Sequence, residues 1–331
     1  MNALTQQIIR RLREADGFVS GQQLSRELRI SRATVSKHVQ DLRALGYDID
    51  SVPRRGYRLN RGINQATAAE VRPHLASSTL GRCIVFEEEI PSTNKRAMEL
   101  ADQSAPEGTV IVAECQSEGR GRMDRGWYSP KQKNLTFSMI LRPRVPPVRV
   151  PELALVAAIS LRETLQVEFP LVPFRIKWPN DLSIEGRKLS GILCEMSAKE
   201  GRVKHVVVGI GINVNSTQTD FPPELRKLAT SIHEHTGRDA SRPEILAHFL
   251  NRFEIDYTLW QRAEDLGPLV NLWHKHCLLT GRNLVVKQLA REIRGVGRGI
   301  DRHGRLVVEQ KNGHTVHITS GDAHILEHSV I

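Results

Sequence analysis

The chain has 331 residues, 40% of them hydrophobic and 25% charged, and its 47 Lys and Arg against 37 Asp and Glu give a formal net charge of +10. This length allows two or three domains, and the composition excludes a wholly disordered, collagen-like or coiled-coil chain. No segment approaches the roughly 18 apolar residues of a membrane span or resembles a signal peptide, so we expect a cytoplasmic protein without a membrane partner. The four cysteines form no C-x-x-C pair, so we expect free, buried thiols.

Positive charge is concentrated near the N-terminus. Residues 1–60 carry eleven Lys and Arg against six acidic residues, which places half of the net charge in under a fifth of the chain. This asymmetry indicates a polyanionic partner for the N-terminal segment.

The N-terminal segment has the pattern of a winged helix-turn-helix. A first helix is predicted over residues 3–15, a second up to Leu28 and a third after Ser31, with Gly46 at its C-terminus. Two short strand-like runs then flank a basic Pro-Arg-Arg-Gly turn at 53–56, which predicts a hairpin.

A short helix with polar and cationic side chains fits the DNA major groove, and a cationic hairpin tip can reach the flanking phosphates. The residues expected to contact DNA are Arg32, Ser36, Lys37, Arg54 and Arg55. The alternative is a basic three-helix docking module whose arginines are only solvated.

Residues 61–69 are polar and predict a linker, and a mixed α/β region follows. Its predicted strands lie at 83–88, 109–115, 135–141, 175–178, 189–196 and 203–212, and its helices at 92–102, 151–167 and 242–262. After residue 280, short strands with Gly-rich turns predict a small separate β-barrel. We therefore expect three domains, over residues 1–62, 67–272 and 273–331.

The segment from Gly119 to Trp127 interleaves glycines with arginines after a predicted strand. Glycine lets the backbone approach an anion, and guanidinium groups match phosphate oxygens, so this loop could bind a nucleotide. Such loops also bind nucleic acid or stay solvated. No P-loop motif occurs, and Val214 stands where a dinucleotide-binding motif would have its third glycine.

Two other segments could carry chemistry. Asp181 and Lys188 are expected to face each other across a hairpin, where Lys could neutralise charge during adenylyl transfer and Asp could accept a proton from an amine. An ordinary surface salt bridge is the alternative. The Ser92-Thr93-Asn94 segment starts a predicted helix, where its most common role is an N-cap.

Taken together, the motifs resemble those of bifunctional biotin-protein ligases and biotin-operon repressors. The matching motifs are S-T-N at 92–94, Q-x-x-G-R-G-R at 116–122, K-W-P-N-D at 177–181, K-L-S-G-I-L at 188–193 and G-I-G-I-N at 209–213. They occur in the family's order over nearly the whole chain. The resemblance implies an α+β multidomain protein with a winged helix-turn-helix, a central ligase domain of the class II synthetase type and a C-terminal SH3-like β-barrel.

The activity implied by the resemblance joins biotin to ATP, releases pyrophosphate, and passes biotin from biotinyl-5′-adenylate to a lysine of a biotin carrier protein such as that of acetyl-CoA carboxylase. Mg²⁺ is implied by ATP. The adenylate-bound protein is expected to form a homodimer that binds a two-fold-symmetric operator and represses biotin-synthesis genes. Two alternatives remain open: a biotin-sensing transcription factor without catalysis, and a lipoate or octanoate ligase.

The resemblance also assigns roles to single residues. The implied catalytic residues are Lys188, Arg120, Arg122 and Asp181. The implied biotin-binding residues are Ser92, Thr93, Asn94, Gln116, Arg120, Gly121, Arg122 and Lys188. The implied ATP and adenylate-binding residues are Gly119, Arg120, Arg122, Trp127, Asn180 and Lys188. The 13 histidines show no zinc-site spacing, so no metal besides Mg²⁺ is expected.

The sequence departs from the family pattern at three positions. Glu118 stands where a small residue is common, and Asp124 stands where a glycine is usual. Both place an acid beside a phosphate-binding loop, so Asp124→Gly is expected to change the release rate of biotinyl-adenylate. Leu326 occupies the position where the repressor subgroup often has Arg, which puts that nucleotide contact in doubt.

Overall fold

The computed structural model describes residues 3–288 and 291–326, and it omits the side chains of residues 3, 61 and 124. The chain divides into two compact units, one of residues 1–65 and 69–73 and the other of residues 66–68 and 74–331. Both predicted domains after residue 67 therefore belong largely to one unit. The predicted three-domain boundaries stay a prediction.

Three helices and a hairpin form the first unit. The helices are α1 (Ala3–Glu14), α2 (Gly21–Leu28) and α3 (Arg32–Ala44), and the hairpin strands are β1 (Asp48–Val52) and β2 (Gly56–Arg61). A short helix, α4 (Ala68–Val71), begins within the last residues of the segment that was predicted as a linker. The predicted winged helix-turn-helix is confirmed.

Local sequence signals set the ends of these helices. The hydroxyls of Ser20 and Ser31 accept hydrogen bonds from backbone N–H groups of α2 and α3, each at 3.0 Å. After α3, Gly46 has φ +96°, and its N–H and that of Tyr47 close the helix on the carbonyls of Arg43 and Leu42. The chain can therefore turn sharply from α3 into the hairpin.

The core of this unit is a single apolar cluster. Ile8, Leu24, Val35 and Leu42 are fully buried in it, one from α1, one from α2 and two from α3. Burying each such side chain contributes about 1.5–3 kcal/mol, so the cluster fixes the helices against one another. The buried set matches the helical spacing of the sequence.

A seven-stranded mixed sheet is the centre of the second unit. Its strands are β3 (Ile84–Ile90), β4 (Val110–Gln116), β5 (Leu135–Leu141), β6 (Phe174–Lys177), β7 (Asp181–Ile184), β8 (Arg187–Lys199) and β9 (Arg202–Ile212). Their spatial order is β3-β4-β5-β9-β8-β7-β6. The β3–β4 pair is parallel, and the other neighbours pair antiparallel.

Helices cover both faces of this sheet. They are α5 (Thr93–Asp102), α6 (Glu152–Glu168), α7 (Ile232–Thr236), α8 (Arg242–Arg262) and α9 (Gly267–His276). All seven residues of β5 are buried, because alternate side chains meet different helices. The ring of Phe137 packs 5.5 Å from that of Phe249 on α8, whereas Ser138 bonds to Asn94 on α5. The sheet therefore separates an α8 side from an α5 side.

Five short strands after α9 form an antiparallel sheet in the order β13-β12-β11-β10-β14. They are β10 (Asn283–Lys287), β11 (Glu292–Ile300), β12 (Leu306–Glu309), β13 (Thr315–Ile318) and β14 (Asp322–Ile325). The buried indole N–H of Trp178 donates to the carbonyl of Gly304 at 3.0 Å, so this part of the chain contacts the β6–β7 turn of the seven-stranded sheet directly. Helix α9 spans the expected domain boundary at residue 272.

The thiols differ from expectation in their exposure. All four cysteines are free, but only Cys277 is buried, while Cys83 is exposed and Cys115 and Cys194 are half-buried. Burial raises the pKa of the Cys194 thiol to about 12, so this thiol is protonated at neutral pH. Among the described residues, none of the helices is both long and apolar enough to cross a membrane.

Candidate functional site

A cleft opens on the α5 side of the seven-stranded sheet. Its walls come from the start of α5, the Gly/Arg loop, the β6–β7 turn, strands β8 and β9, and strand β14 of the C-terminal sheet. Among its described lining residues, five Lys and Arg face two Asp. A concave site with this excess of positive charge suits an anionic ligand such as a nucleotide phosphate.

Glycines form the floor of the cleft. The register places Gly211 of β9 between Thr136 of β5 and Gly191 of β8, with Asp181 of β7 next in the row. A Cβ on Gly211 would lie 2.3 Å from Trp127 Cε2, so the indole needs the space that glycine leaves. From the sequence, no role was predicted for this glycine beyond its place in a family motif.

Gly209 serves Asn94 in the same way. A Cβ at Gly209 would lie 1.9 Å from Asn94 Oδ1. The two glycines of the Gly-Ile-Gly repeat on β9 both face the cleft, because alternate strand residues share a face. The signal that could have identified these two glycines is a Gly-x-Gly repeat within a predicted strand, on the face that meets buried polar side chains.

A hydrogen-bond network organises one end of the cleft. Gln116 Oε1 accepts from the backbone N–H of Thr93 at 2.7 Å and from its hydroxyl at 3.0 Å. The Ser138 hydroxyl donates to Asn94 Oδ1 at 2.6 Å, and Asn94 Nδ2 donates to Glu195 Oε2 at the same distance. Thr93, Asn94 and Gln116 therefore meet as predicted, and Ser138 and Glu195 were missed.

Ser92 differs from its neighbours. Its hydroxyl accepts a hydrogen bond from the Lys95 N–H at 3.5 Å, so it acts as the N-cap of α5. Among the described residues, it is not one of those that line the cleft. Its predicted contact with biotin stays a prediction, and the common capping role is what the geometry shows.

The Gly/Arg loop folds over the cleft as a small hairpin. The N–H of Trp127 donates to the Gly119 carbonyl at 2.8 Å, and that of Gly121 donates to the Arg125 carbonyl at 2.6 Å. A Cβ on Gly119 would lie 2.5 Å from the Trp127 carbonyl oxygen, so this turn requires glycine. Arg120, Gly121, Arg122 and Trp127 of the predicted loop residues line one wall, whereas Gly119 is not among the described lining residues and the side chain of Asp124 is not described.

Arg122 and Arg125 join the loop to two other walls. Arg122 Nη1 donates to Asn180 Oδ1 at 3.4 Å, and Asn180 Nδ2 donates to the buried Ile192 carbonyl at 2.6 Å. Arg125 forms an ion pair with Asp322 at the start of β14. These contacts hold the loop next to the β6–β7 turn, where the Trp178–Pro179 peptide is cis, and next to the C-terminal sheet.

Asp181 and Lys188 form the predicted pair, with Nζ 2.8 Å from Oδ1. The turn between their strands lies at Glu185 and Gly186. The β6–β7 turn is a second one, so the segment contains two hairpins rather than one. Lys188 Nζ also lies 6.0 Å from the centroid of the Trp127 ring. Both side chains of the pair line the cleft and are partly exposed there, so a bound ligand can reach them. An ordinary surface salt bridge would not have to line a cleft.

The C-terminal sheet contributes a wall that the sequence did not predict. Asp322, Ala323 and His324 on β14 line the cleft. Leu326 is not among the described lining residues; its N–H donates to the Asn283 carbonyl at 2.9 Å. In the described part of the chain, no three His, Cys, Asp or Glu side chains could together hold a metal ion.

The first unit carries a separate basic surface. Arg32 and Lys37 on α3 and Arg54 and Arg55 at the hairpin tip are exposed, and Ser36 is half-buried. The Arg55 guanidinium lies 4.3 Å from the centroid of the Phe18 ring, which orients it. One helix face and one hairpin tip thus present the predicted cations.

Comparisons with known proteins agree with these features. The model described as "Biotin/lipoate A/B protein ligase family" matches residues 86–213, "HTH domain" matches 5–58, and "Biotin protein ligase C terminal domain" matches 280–325. The bifunctional ligase/repressor BirA of Bacillus spizizenii is 39% identical over 296 residues, 89% of this chain and 90% of that protein. Its namesake from Escherichia coli is 33% identical over 88% of each chain.

A solved structure extends this similarity to three dimensions. The biotin protein ligase from Aquifex aeolicus in complex with biotin and ATP has a TM-score of 0.64 and 28% identity. The match covers 75% of this chain and 100% of that chain.

Proposed function

The chain belongs to the biotin/lipoate A/B protein ligase family, in its group of bifunctional ligase/repressors, and on that premise we propose that it makes biotinyl-5′-adenylate in the described cleft. It then transfers biotin to a carrier-protein lysine. Its winged helix is proposed to repress transcription. The observation that carries the proposal is the cleft itself. It brings the Asp181–Lys188 pair, the Arg122–Asn180 contact and the Thr93–Gln116 network together over one glycine floor.

In the first step, a carboxylate oxygen of biotin attacks the α-phosphorus of ATP. The bond from that phosphorus to the bridging oxygen of the β-phosphate breaks, and pyrophosphate leaves. Two anions must approach each other, so cations that stabilise the developing charge lower the barrier. Lys188, Arg120 and Arg122 line the cleft and are proposed for this role.

In the second step, the amine of the carrier lysine attacks the carbonyl carbon of the adenylate, and AMP leaves. The attacking nitrogen must lose a proton. The Asp181 carboxylate, held at the cleft by Lys188, is proposed to accept it or to orient the amine. The indole of Trp127 is proposed to cover the mixed anhydride and to exclude water.

The polar end of the cleft suits the ureido ring of biotin. Such a ring needs both donors and acceptors, and the Thr93, Asn94 and Gln116 side chains supply them beside the glycine floor. We place the head group there, with Ser138 and Glu195 orienting Asn94 from behind.

Mg²⁺ is proposed to enter as its complex with ATP. The cleft has Asp181 as a carboxylate beside Lys188 but no cage of several carboxylates among the described residues. Mg²⁺ commonly takes one or two carboxylates together with substrate phosphates, so this donor set fits. The ion would supply charge neutralisation on the phosphates.

Operator DNA is the proposed partner of the first unit. The exposed cations of α3 and the hairpin tip would contact phosphates and base edges, and adenylate-bound protein would bind as a homodimer. Since ATP and chromosomal DNA share a compartment, we place the protein in the cytoplasm.

Incubation with biotin, ATP, Mg²⁺ and a biotin carrier domain tests the enzymatic half. We expect biotin-dependent pyrophosphate release and a biotinylated carrier, with a loss of at least about 100-fold in Lys188→Ala because a positioned charge is removed from the transition state. Lys199→Ala is the matched control, since this lysine on β8 is 82% exposed. Pyrophosphate release with lipoate but not biotin would favour a lipoate ligase, and biotin binding without release would favour a sensor.

A further inference from the structure

Strand β14 forms an edge of the C-terminal sheet and closes one side of the cleft. Of its cleft-lining residues, His324 is the one that can gain charge near neutral pH. Cations of three other elements act on its charge, and no role in the reaction described above uses it.

The charges around His324 come from several directions. Lys177 of β6, Lys287 of β10 and Arg125 of the loop each disfavour its protonation, and Asp322 of its own strand favours it. Partial desolvation at the cleft is the largest cause and, together with these cations, holds the pKa of the exposed His324 side chain below the usual histidine value. The imidazole is therefore mostly neutral in the free protein at pH 7.

We propose that His324 is a nucleotide-binding residue, which takes up a proton as the phosphates of ATP enter the cleft and then binds them as a cation. This inference rests on the proposed function. Lys177 and Arg125 line the same cleft, and Arg125 pairs with Asp322 of β14, so the three would contact the phosphates that leave as pyrophosphate. Lys188, paired with Asp181 in the same cleft, stays the cation proposed for the α-phosphate.

The physical cause of proton uptake is charge compensation. A polyanion between Lys177, Arg125 and His324 offsets the positive field that disfavours the imidazolium, so the pKa of His324 rises on binding. A group with a higher pKa in the complex than in the free protein takes up protons on binding. The affinity for ATP then increases as pH falls from the pKa of the complex towards that of the free protein.

Isothermal titration calorimetry with a non-hydrolysable ATP analogue and Mg²⁺, in buffers of different ionisation enthalpy near pH 7, measures this uptake. We expect the wild-type protein to take up a fraction of a proton per bound nucleotide and His324→Asn to lose that fraction. The KM for ATP should rise about 3- to 5-fold in His324→Asn, as for a partly exposed charged contact, with the KM for biotin unchanged.

Two further variants sharpen the test. His324→Lys keeps a fixed cation, so it should retain the affinity for the analogue and lose the proton uptake. His314→Asn removes an imidazole from the turn before β13, outside the cleft, and should match the wild type. Unchanged proton uptake and an unchanged KM for ATP in His324→Asn would overturn the inference while leaving ligase activity intact. Absence of biotin-dependent pyrophosphate release in the wild type would instead contradict the proposed function.

Discussion

Gly209 and Gly211 decide which side chains fit against the floor of the cleft. Each faces the cleft from β9, one under Asn94 and the other under Trp127. Because strand geometry fixes where a Cβ would point, a methyl group would meet Asn94 at one position and Trp127 at the other, two side chains for which different roles are proposed. The two sites can therefore be tested separately.

Gly209→Ala is expected to displace Asn94 and to weaken biotin binding. The added Cβ would lie 1.9 Å from Asn94 Oδ1, so the amide must leave its contacts with Ser138 and Glu195. We expect the KM for biotin to rise about tenfold, equivalent to ~1.4 kcal/mol, with little change in the KM for ATP. Equal increases in both KM values, measured by pyrophosphate release, would contradict this assignment.

Glu114 of β4 and Arg242 of α8 form a buried ion pair. Arg242 Nη1 lies 2.8 Å from Glu114 Oε1, and both side chains are at most 4% exposed. The N–H of Gln132 also donates to Glu114, at 2.6 Å. Glu114→Gln should lower the free energy of unfolding by about 3–5 kcal/mol, because it removes the carboxylate charge of Glu114 from a buried ion pair.

Urea denaturation measures that decrease. Glu99→Gln is the matched control, since Glu99 pairs with Arg96 on the exposed surface of α5 and should change stability by about 0–1 kcal/mol. Equal decreases in the free energy of unfolding for the two substitutions would show that the burial of Glu114 does not determine the size of the effect.

At the scale of elements, the β1–β2 hairpin is the test of DNA binding. Arg54→Ala with Arg55→Ala should reduce operator affinity and make the slope of log K against log salt less negative by about 1 for each phosphate that the variant no longer neutralises. Ligase activity should be unchanged. Arg10→Ala on α1 removes one exposed charge from the same unit and serves as control in fluorescence anisotropy. Retained affinity in the double variant would favour the docking-module interpretation.

The elements themselves differ in how well the sequence predicts them. Helix α3 could be predicted because Ser31, the apolar spacing and Gly46 all agree. The additional hairpin turn between β6 and β7 could not, since the short strand β7 between two turns has too few residues for a clear alternation. The wall formed by β14 depends on contacts between distant segments, which no local pattern records.

At the scale of the molecule, the family and the fold class could be predicted, because five motifs occurred in the expected order, and both are confirmed. Most candidate site residues also meet at one cleft. The glycine floor and Glu195 escaped prediction, because their importance depends on strand register. The effects of Asp124 and the dimer stay predictions.

Coupling between ligand and DNA is the prediction for the whole chain. Linkage requires that, if the adenylate promotes operator binding, DNA must favour the adenylate-bound protein equally. Operator affinity measured by anisotropy should rise when biotin and ATP are added together, and fall again after addition of unbiotinylated carrier. Affinity that is indifferent to biotin and ATP would refute the coupled mechanism.

The hydrogen bond from Trp178 to Gly304 has a consequence for exchanging parts between homologues. The same turn that carries this indole continues into Asn180 and Asp181, so the C-terminal sheet braces the reacting end of the ligase region. A chimaera that receives a foreign C-terminal segment should stay active when the donor's turn places a carbonyl at the same point. We therefore expect natural recombination in this family to keep Trp178 and Gly304 together. Crossovers should fall before Trp178 more often than between these two residues.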